Sequence, residues 1–192
     1  RAEVGQLDLE NPDLAALRDK ANVALGYAWL QASRPADAKP SLQRVRLDGP
    51  YSNKALLGVG WADAELGDYE AALRPWIELG RRDLVDSAVQ ESLLAVPYAF
   101  AQLGAEKQAA DYYTAAIDAF NAELLRLDTS IISVDSGVLI DELLAREPAD
   151  GSGWFWHLED LPQNAESRYL YQLMATNRFQ ESLKTYRDVK YL

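Results

Sequence analysis

The chain has 192 residues, a hydrophobic content of 48% and no cysteine, so a buried core is affordable, but disulfides, thiolate zinc sites and cysteine nucleophiles are excluded. A formal net charge of −11 works against nucleic acid or an anionic membrane surface as partner, because no basic stretch is set apart from the acidic background and Arg81-Arg82 is too short to be one. No apolar run approaches the roughly 18 residues that cross a bilayer. The acidity is read as a solubility feature in preference to an acidic docking surface. Absence of cysteine fits either bacterial compartment. A periplasmic or secreted location is the expectation, and a cytoplasmic one the alternative.

Val4, Leu7 and Leu9 read as the last turn of an upstream element. Asn11-Pro12 is a helix start, with Asn as the cap, Pro at the first helical position and Asp13 near the positive end of the dipole. Leu14, Leu17, Ala21, Ala24, Leu25, Ala28 and Trp29 follow at helical spacing until Ser33-Arg34-Pro35. A second helix carries Ala38, Leu42 and Val45, with Pro40 placed near its first turn, and Gly49-Pro50 ends it. The plan repeats. Leu56, Leu57, Val59, Gly60 and Trp61 mark a helix over 54–66, and Gly67-Asp68 a turn. Tyr69, Ala72, Leu73, Trp76 and Leu79 mark the helix after it. Pro75 predicts either a kink there or a later start. Residues 90–123 then read as two more helices folded back on each other, broken at Gly104. Leu93, Val96, Pro97 and Phe100 lie on the first, and Ala109, Tyr113 and Ala116 on the second, so that large residues face small ones.

The spacing is periodic. Gly26 and Gly60 are 34 residues apart, Gly60 and Pro97 are 37 apart, and so are Gly67 and Gly104. Ala38/Leu42, Ala72/Trp76 and Ala109/Tyr113 keep one offset in three units, which predicts a helical solenoid. These residues resemble the tetratricopeptide repeat (TPR) family. Unit one (19–52) does so through Leu25-Gly26, Trp29, Ala38, Leu42 and Pro50. Unit two (53–89) does so through Val59-Gly60, Gly67-Asp68-Tyr69, Ala72 and Trp76. Unit three (90–123) does so through Val96, Phe100, Gly104, Ala109, Tyr113 and Ala116. Asp63 departs from the family pattern, which has an aromatic there, and so does Pro97, where the family has a small residue. The resemblance implies an all-α fold, a right-handed α-α superhelix, with residues 1–18 as a lead-in or extended first helix.

Past Ala116 the last helix is expected to continue through Phe120, Leu124, Leu125 and Leu127. Residues 124–162 leave the repeat. Ile131, Ile132, Val134, Val138, Leu139, Ile140, Leu143 and Leu144 are β-rich at first and helical later, and are read as a helix beginning near Ser130 or Ser136. Pro148–Gly153 reads as a loop leading to Trp154-Phe155-Trp156, as a plug for the helical stack or an exposed docking tip. Residues 163–192 read as a partial fourth repeat, with Asn177-Arg178-Phe179 at the turn and Tyr169, Leu173, Ser182, Tyr186 and Val189 at spaced positions. Tyr191 and Leu192 favour a fragment of a longer bacterial chain over a half-unit cap.

One first-helix position reads Tyr27, Trp61, Tyr98 and, after the insertion, Tyr171. Four residues earlier stand Val23, Leu57, Leu94 and Ser167. The resemblance implies that these positions face the ligand groove, so Val23, Tyr27, Leu57, Trp61, Leu94, Tyr98 and Tyr171 are the expected contacts for a partner peptide or helix. The alternative is a groove filled from within, by the long second helix of unit three or by residues 129–147. The family's grip on a terminal carboxylate uses Lys and Asn at first-helix positions. Here Lys20 and Lys54 are present without the asparagines, and that mode is not expected. His157 stands alone beside Glu159 and Asp160, a poor transition-metal site. Ser92, Ser130, Ser133 and Ser136 have no recognisable base, and acid pairs such as Asp48/Asp63 and Asp141/Glu142 read as solvated faces. No phosphate loop, calcium loop or nucleophile elbow occurs. The expectation is therefore a protein–protein interaction scaffold without catalysis, metal or cofactor, and with self-association as a further possibility. The alternative is a structural helper domain of a larger enzyme or of a secretion or envelope assembly beyond Leu192.

Overall fold

The computed structural model describes residues 11–145 and 165–190. Val4, Leu7 and Leu9, the loop at 148–153, Trp154–His157 and Tyr191-Leu192 lie outside the described residues. Among those described, the chain forms helices and no strand, so the fold is all-α. In order they are α1 (Pro12–Gln31), α2 (Pro35–Gln43), α3 (Ser52–Glu65), α4 (Tyr69–Leu79), α5 (Ser87–Gln102), α6 (Glu106–Asp135), α7 (Val138–Ala145), α8 (Ala165–Met174) and α9 (Asn177–Lys190).

Local chemistry sets most boundaries. Asn11 caps α1, its Oδ1 accepting from the Asp13 N–H at 2.9 Å, and Pro12 occupies the first turn. Asp68 caps α4 through the Ala71 N–H at 2.9 Å, just after Gly67 turns the chain at φ +81°. Asp86 caps α5 through the Ala88 N–H at 2.8 Å. Each cap satisfies a backbone donor that the first helical turn leaves over. Gly137, at φ +80°, separates α6 from α7. The expected helix near Ser136 is therefore α7, and the apparently β-rich stretch at 131–134 is the end of α6. Pro40, expected in a first turn, lies well inside α2, because Pro35 already occupies the first turn. Pro75 likewise lies inside α4, which begins at Tyr69.

Contacts divide the chain into two compact units, residues 1–119 and 120–192. In the first, α1 packs on α2, α2 on α3, α3 on α4 and α4 on α5, and α1 also meets α3 as α3 meets α5. The pairs α1–α2 and α3–α4 share one device. A side chain on Gly26 would collide with Leu42, and one on Gly60 would collide with the indole of Trp76. The missing Cβ atoms let large side chains of α2 and α4 lie against the backbones of α1 and α3. The Trp76 indole N–H donates to the Leu57 carbonyl at 3.2 Å, so its burial leaves no polar atom unserved.

Charged groups seal the same unit. Asp63 is buried, and the Lys39 Nζ reaches it from α2 at 2.6 Å. A carboxylate thus stands where the family pattern has an aromatic, and it ties α3 to the neighbouring helix. Asp19 is buried in α1 and accepts from Arg46 at 2.7 Å and Arg18 at 3.3 Å. Arg82 donates to Ser52 Oγ and Asn53 Oδ1, both at 2.7 Å, and Asn53 donates to Asp86 at 2.9 Å. That network fastens the 80–86 connection to the start of α3.

In the second unit, Leu139 and Leu143 of α7, Met174 of α8 and Leu183 of α9 form the core. Ile140, Leu144, Leu170 and Phe179 pack around it. Glu123 of α6 accepts from the Tyr169 hydroxyl at 2.7 Å and from Arg168 at 3.4 Å.

Candidate functional site

The positions Tyr27, Trp61 and Tyr98 fall on α1, α3 and α5, the helices that meet in sequence along one side of the first unit. They differ in how free they are. Tyr27 is half-buried, and its hydroxyl donates to the Lys54 carbonyl at 3.0 Å. Burial, and then the negative charge of Glu91, push the Tyr27 phenol up to about 12. Trp61 stands edge-on to Trp76 with ring centres 4.9 Å apart and tilts towards Tyr98 at 6.2 Å. Its indole N–H donates to Glu91 Oε1 at 2.6 Å. Tyr98 is exposed and meets Tyr69 of α4 edge-on at 5.9 Å. A side-chain hydrogen bond with Tyr98, with smaller help from desolvation and charge, raises the Tyr69 phenol above its ordinary value.

The positions one turn earlier divide. Leu94 is exposed on α5. Val23 and Leu57 are not surface groups: Val23 joins Val45 and Ala55 in the core, and Leu57 is buried. Four residues rotate about 40° round a helix of 3.6 residues per turn. The same offset leaves Leu94 exposed, so it is the packing around each position that decides, and the expectation that Val23 and Leu57 touch a partner is corrected. Tyr171 of α8 is exposed and belongs to the second unit, as does Ser167, which is buried.

Two members of this surface escaped the sequence reading. Glu91 has no periodic signature, since its partner Trp61 lies on another helix. Tyr69 is legible in the sequence as the start of the helix after Gly67-Asp68, where α4 does begin, but not as a neighbour of Tyr98. The surface thus comprises Trp61, Tyr69, Leu94 and Tyr98, with the Glu91 carboxylate at its edge. Among the described residues no lysine or arginine pairs with Glu91.

The hydroxyls of Ser92, Ser130 and Ser136 donate to nearby backbone carbonyls, those of Val89, Arg126 and Ser133. Asp141 pairs with Lys190 at 2.7 Å. No group of three metal-ligating side chains occurs among the described residues, and none of their helices is long and apolar enough to cross a membrane. His157 lies outside the described residues. Compared with protein-family models, with curated proteins and with solved structures, the chain matches none.

Proposed function

We propose that the chain is an interaction module, a tetratricopeptide-like right-handed superhelix that captures a peptide or helix of another protein on α3 and α5. The observation that carries this reading is the aromatic surface on which exposed Tyr98 and Leu94 stand beside half-buried Trp61 and Tyr69, with Glu91 held in place by the Trp61 N–H at 2.6 Å. Aromatic faces take apolar side chains, and they also take cations. A carboxylate already oriented by a hydrogen bond adds a fixed anion without further ordering cost. The surface therefore suits a segment that places a lysine or arginine over Glu91 and an apolar residue against Leu94 and Tyr98. The net charge of −11 favours encounter with such a segment.

The test is selection of displayed random peptides on the full chain, followed by affinity measurement with Tyr98→Ala, Leu94→Ala and Glu91→Gln. These side chains are exposed, so the helical circular dichroism should stay unchanged. Selected peptides should carry a basic residue next to apolar ones. Tyr98→Ala and Glu91→Gln should each weaken them by about tenfold, or roughly 1.4 kcal/mol. Peptides without a basic residue, or binding indifferent to both substitutions, would sink the reading.

A further inference from the structure

The second half of α6 carries a face that the structure leaves bare. From Phe120 to the helix end, Leu124 is 57% exposed, Leu125 69%, Ile131 49% and Ile132 69%. Advancing 100° per residue, these four make two parallel rows, Leu124 with Ile131 and Leu125 with Ile132. The members of each row stand seven residues apart. The packed side of the helix is the opposite one. There Ser130 is buried, and Glu123 takes the hydroxyl of Tyr169. Single exposed leucines need no explanation, but four large side chains on one face form a patch of the kind that partners cover.

Two carboxylates stand between the rows. Asp128 and Asp135 are also seven residues apart and, by the same rotation, fall in the furrow flanked by Leu124, Leu125, Ile131 and Ile132. Both are exposed, and no lysine or arginine pairs with either among the described residues. Arg126 is the sole basic residue in 120–135. It projects away from the furrow and pairs with Glu123 at 2.9 Å.

The furrow selects among occupants. A second copy of the chain would bring carboxylates against carboxylates in a desolvated seam, which is strongly unfavourable. An anionic bilayer would have to accept the same carboxylates from a chain of net charge −11. A basic amphipathic helix meets both demands at once, because its apolar residues cover the rows and its cations enter the furrow. Seven-residue spacing on both sides is the repeat of a left-handed helix pair.

We propose that the 120–135 face of α6 docks an amphipathic helix of a partner protein, with lysines or arginines seven residues apart meeting Asp128 and Asp135 between two apolar rows. The two carboxylates lie about 10 Å apart along the axis, which fixes the register. This inference does not depend on the aromatic surface of α3 and α5.

The test uses the full chain and a designed helical peptide of about three heptads, with lysines at one heptad position between rows of leucine, and a second peptide with glutamate at those positions. Fluorescence anisotropy should show binding of the lysine peptide alone. Asp128→Asn with Asp135→Asn should weaken it at least tenfold. Reversal of both to lysine should transfer preference to the glutamate peptide. Leu125→Ser with Ile132→Ser should abolish binding while circular dichroism stays unchanged. The proposal is overturned if the lysine peptide does not bind, or if it binds the Asn variant as well as the wild type. It is equally overturned if sedimentation shows a wild-type dimer that Leu125→Ser with Ile132→Ser dissolves.

Discussion

The pairs α3–α4 and α5–α6 carry the same repeat register and solve the packing problem differently. In α3–α4 the flat backbone of Gly60 receives Trp76, which is 0% exposed. In α5–α6 the corresponding positions are Pro97 and Tyr113. Pro97 is buried, and Tyr113 is 42% exposed. A proline ring does not offer the flat surface that a glycine does, and no large side chain of α6 is buried as Trp76 is in α4. Phe100 instead stacks on Tyr112, with ring centres 5.1 Å apart. Ala109 and Ala116 stay buried at their expected positions. Register alone therefore does not transmit an interface. Size complementarity at two facing positions does.

The largest expected effect tests this contrast directly. Trp76→Ala should cost about 3–5 kcal/mol, chiefly from the cavity. Tyr113→Ala should cost less than about 1 kcal/mol, as for an exposed side chain. Urea unfolding followed by far-ultraviolet circular dichroism checks both, and equal losses would break the comparison. The next effect is smaller. Gly60→Ala should cost about 1–3 kcal/mol, because a rigid indole rather than a flexible chain end must yield. Gly67→Ala meets no atom within 4 Å, and only its φ of +81° opposes the change, at about 1 kcal/mol. If the two glycines respond alike, the close approach of Trp76 is not what Gly60 provides.

The sequence made helix starts legible because caps are local: Asn11 and Asp68 lie within three residues of the donors they serve. The chain's interior prolines were harder to place. Pro40 and Pro75 each lie inside a helix held by neighbours on other elements, and tertiary packing overrides a local breaker. Ile131, Ile132 and Val134 misled in the same way, since β-branching is a weak prior against the continuation of a long helix. For the candidate surface, the aromatic positions were visible by periodicity, but their exposure was not. Val23 and Leu57 share the spacing of Leu94 and are nonetheless buried, Val23 against Val45 and Ala55, which lie 22 and 32 residues further along the chain. Asp63 looked like a defect in the repeat until Lys39, 24 residues away in sequence, supplied its counter-charge.

An effect confined to alkaline pH sharpens the contrast at the other end of the first unit, where α1 meets α3. The phenol of Tyr27 is pushed up to about 12 by burial and by the charge of Glu91, whereas in the unfolded chain it titrates near its ordinary value of 10.0. Between those values the unfolded state has lost the proton and the folded state has kept it. Stability from this group is therefore fully present below pH 10 and falls as pH rises towards 12, by about 1–2 kcal/mol after allowance for solvent screening. Tyr27→Phe should remove that component of the alkaline destabilisation, while costing the hydrogen bond to the Lys54 carbonyl at neutral pH, about 1 kcal/mol. Glu91→Gln should lower the Tyr27 midpoint without moving it back to 10.0, because burial is the larger cause. Difference absorbance at 295 nm between wild type and Tyr27→Phe reads the midpoint. A midpoint unchanged by Glu91→Gln would mean that the carboxylate does not act across from α5 to α1, and that the charge at the edge of the aromatic surface is felt only by Trp61.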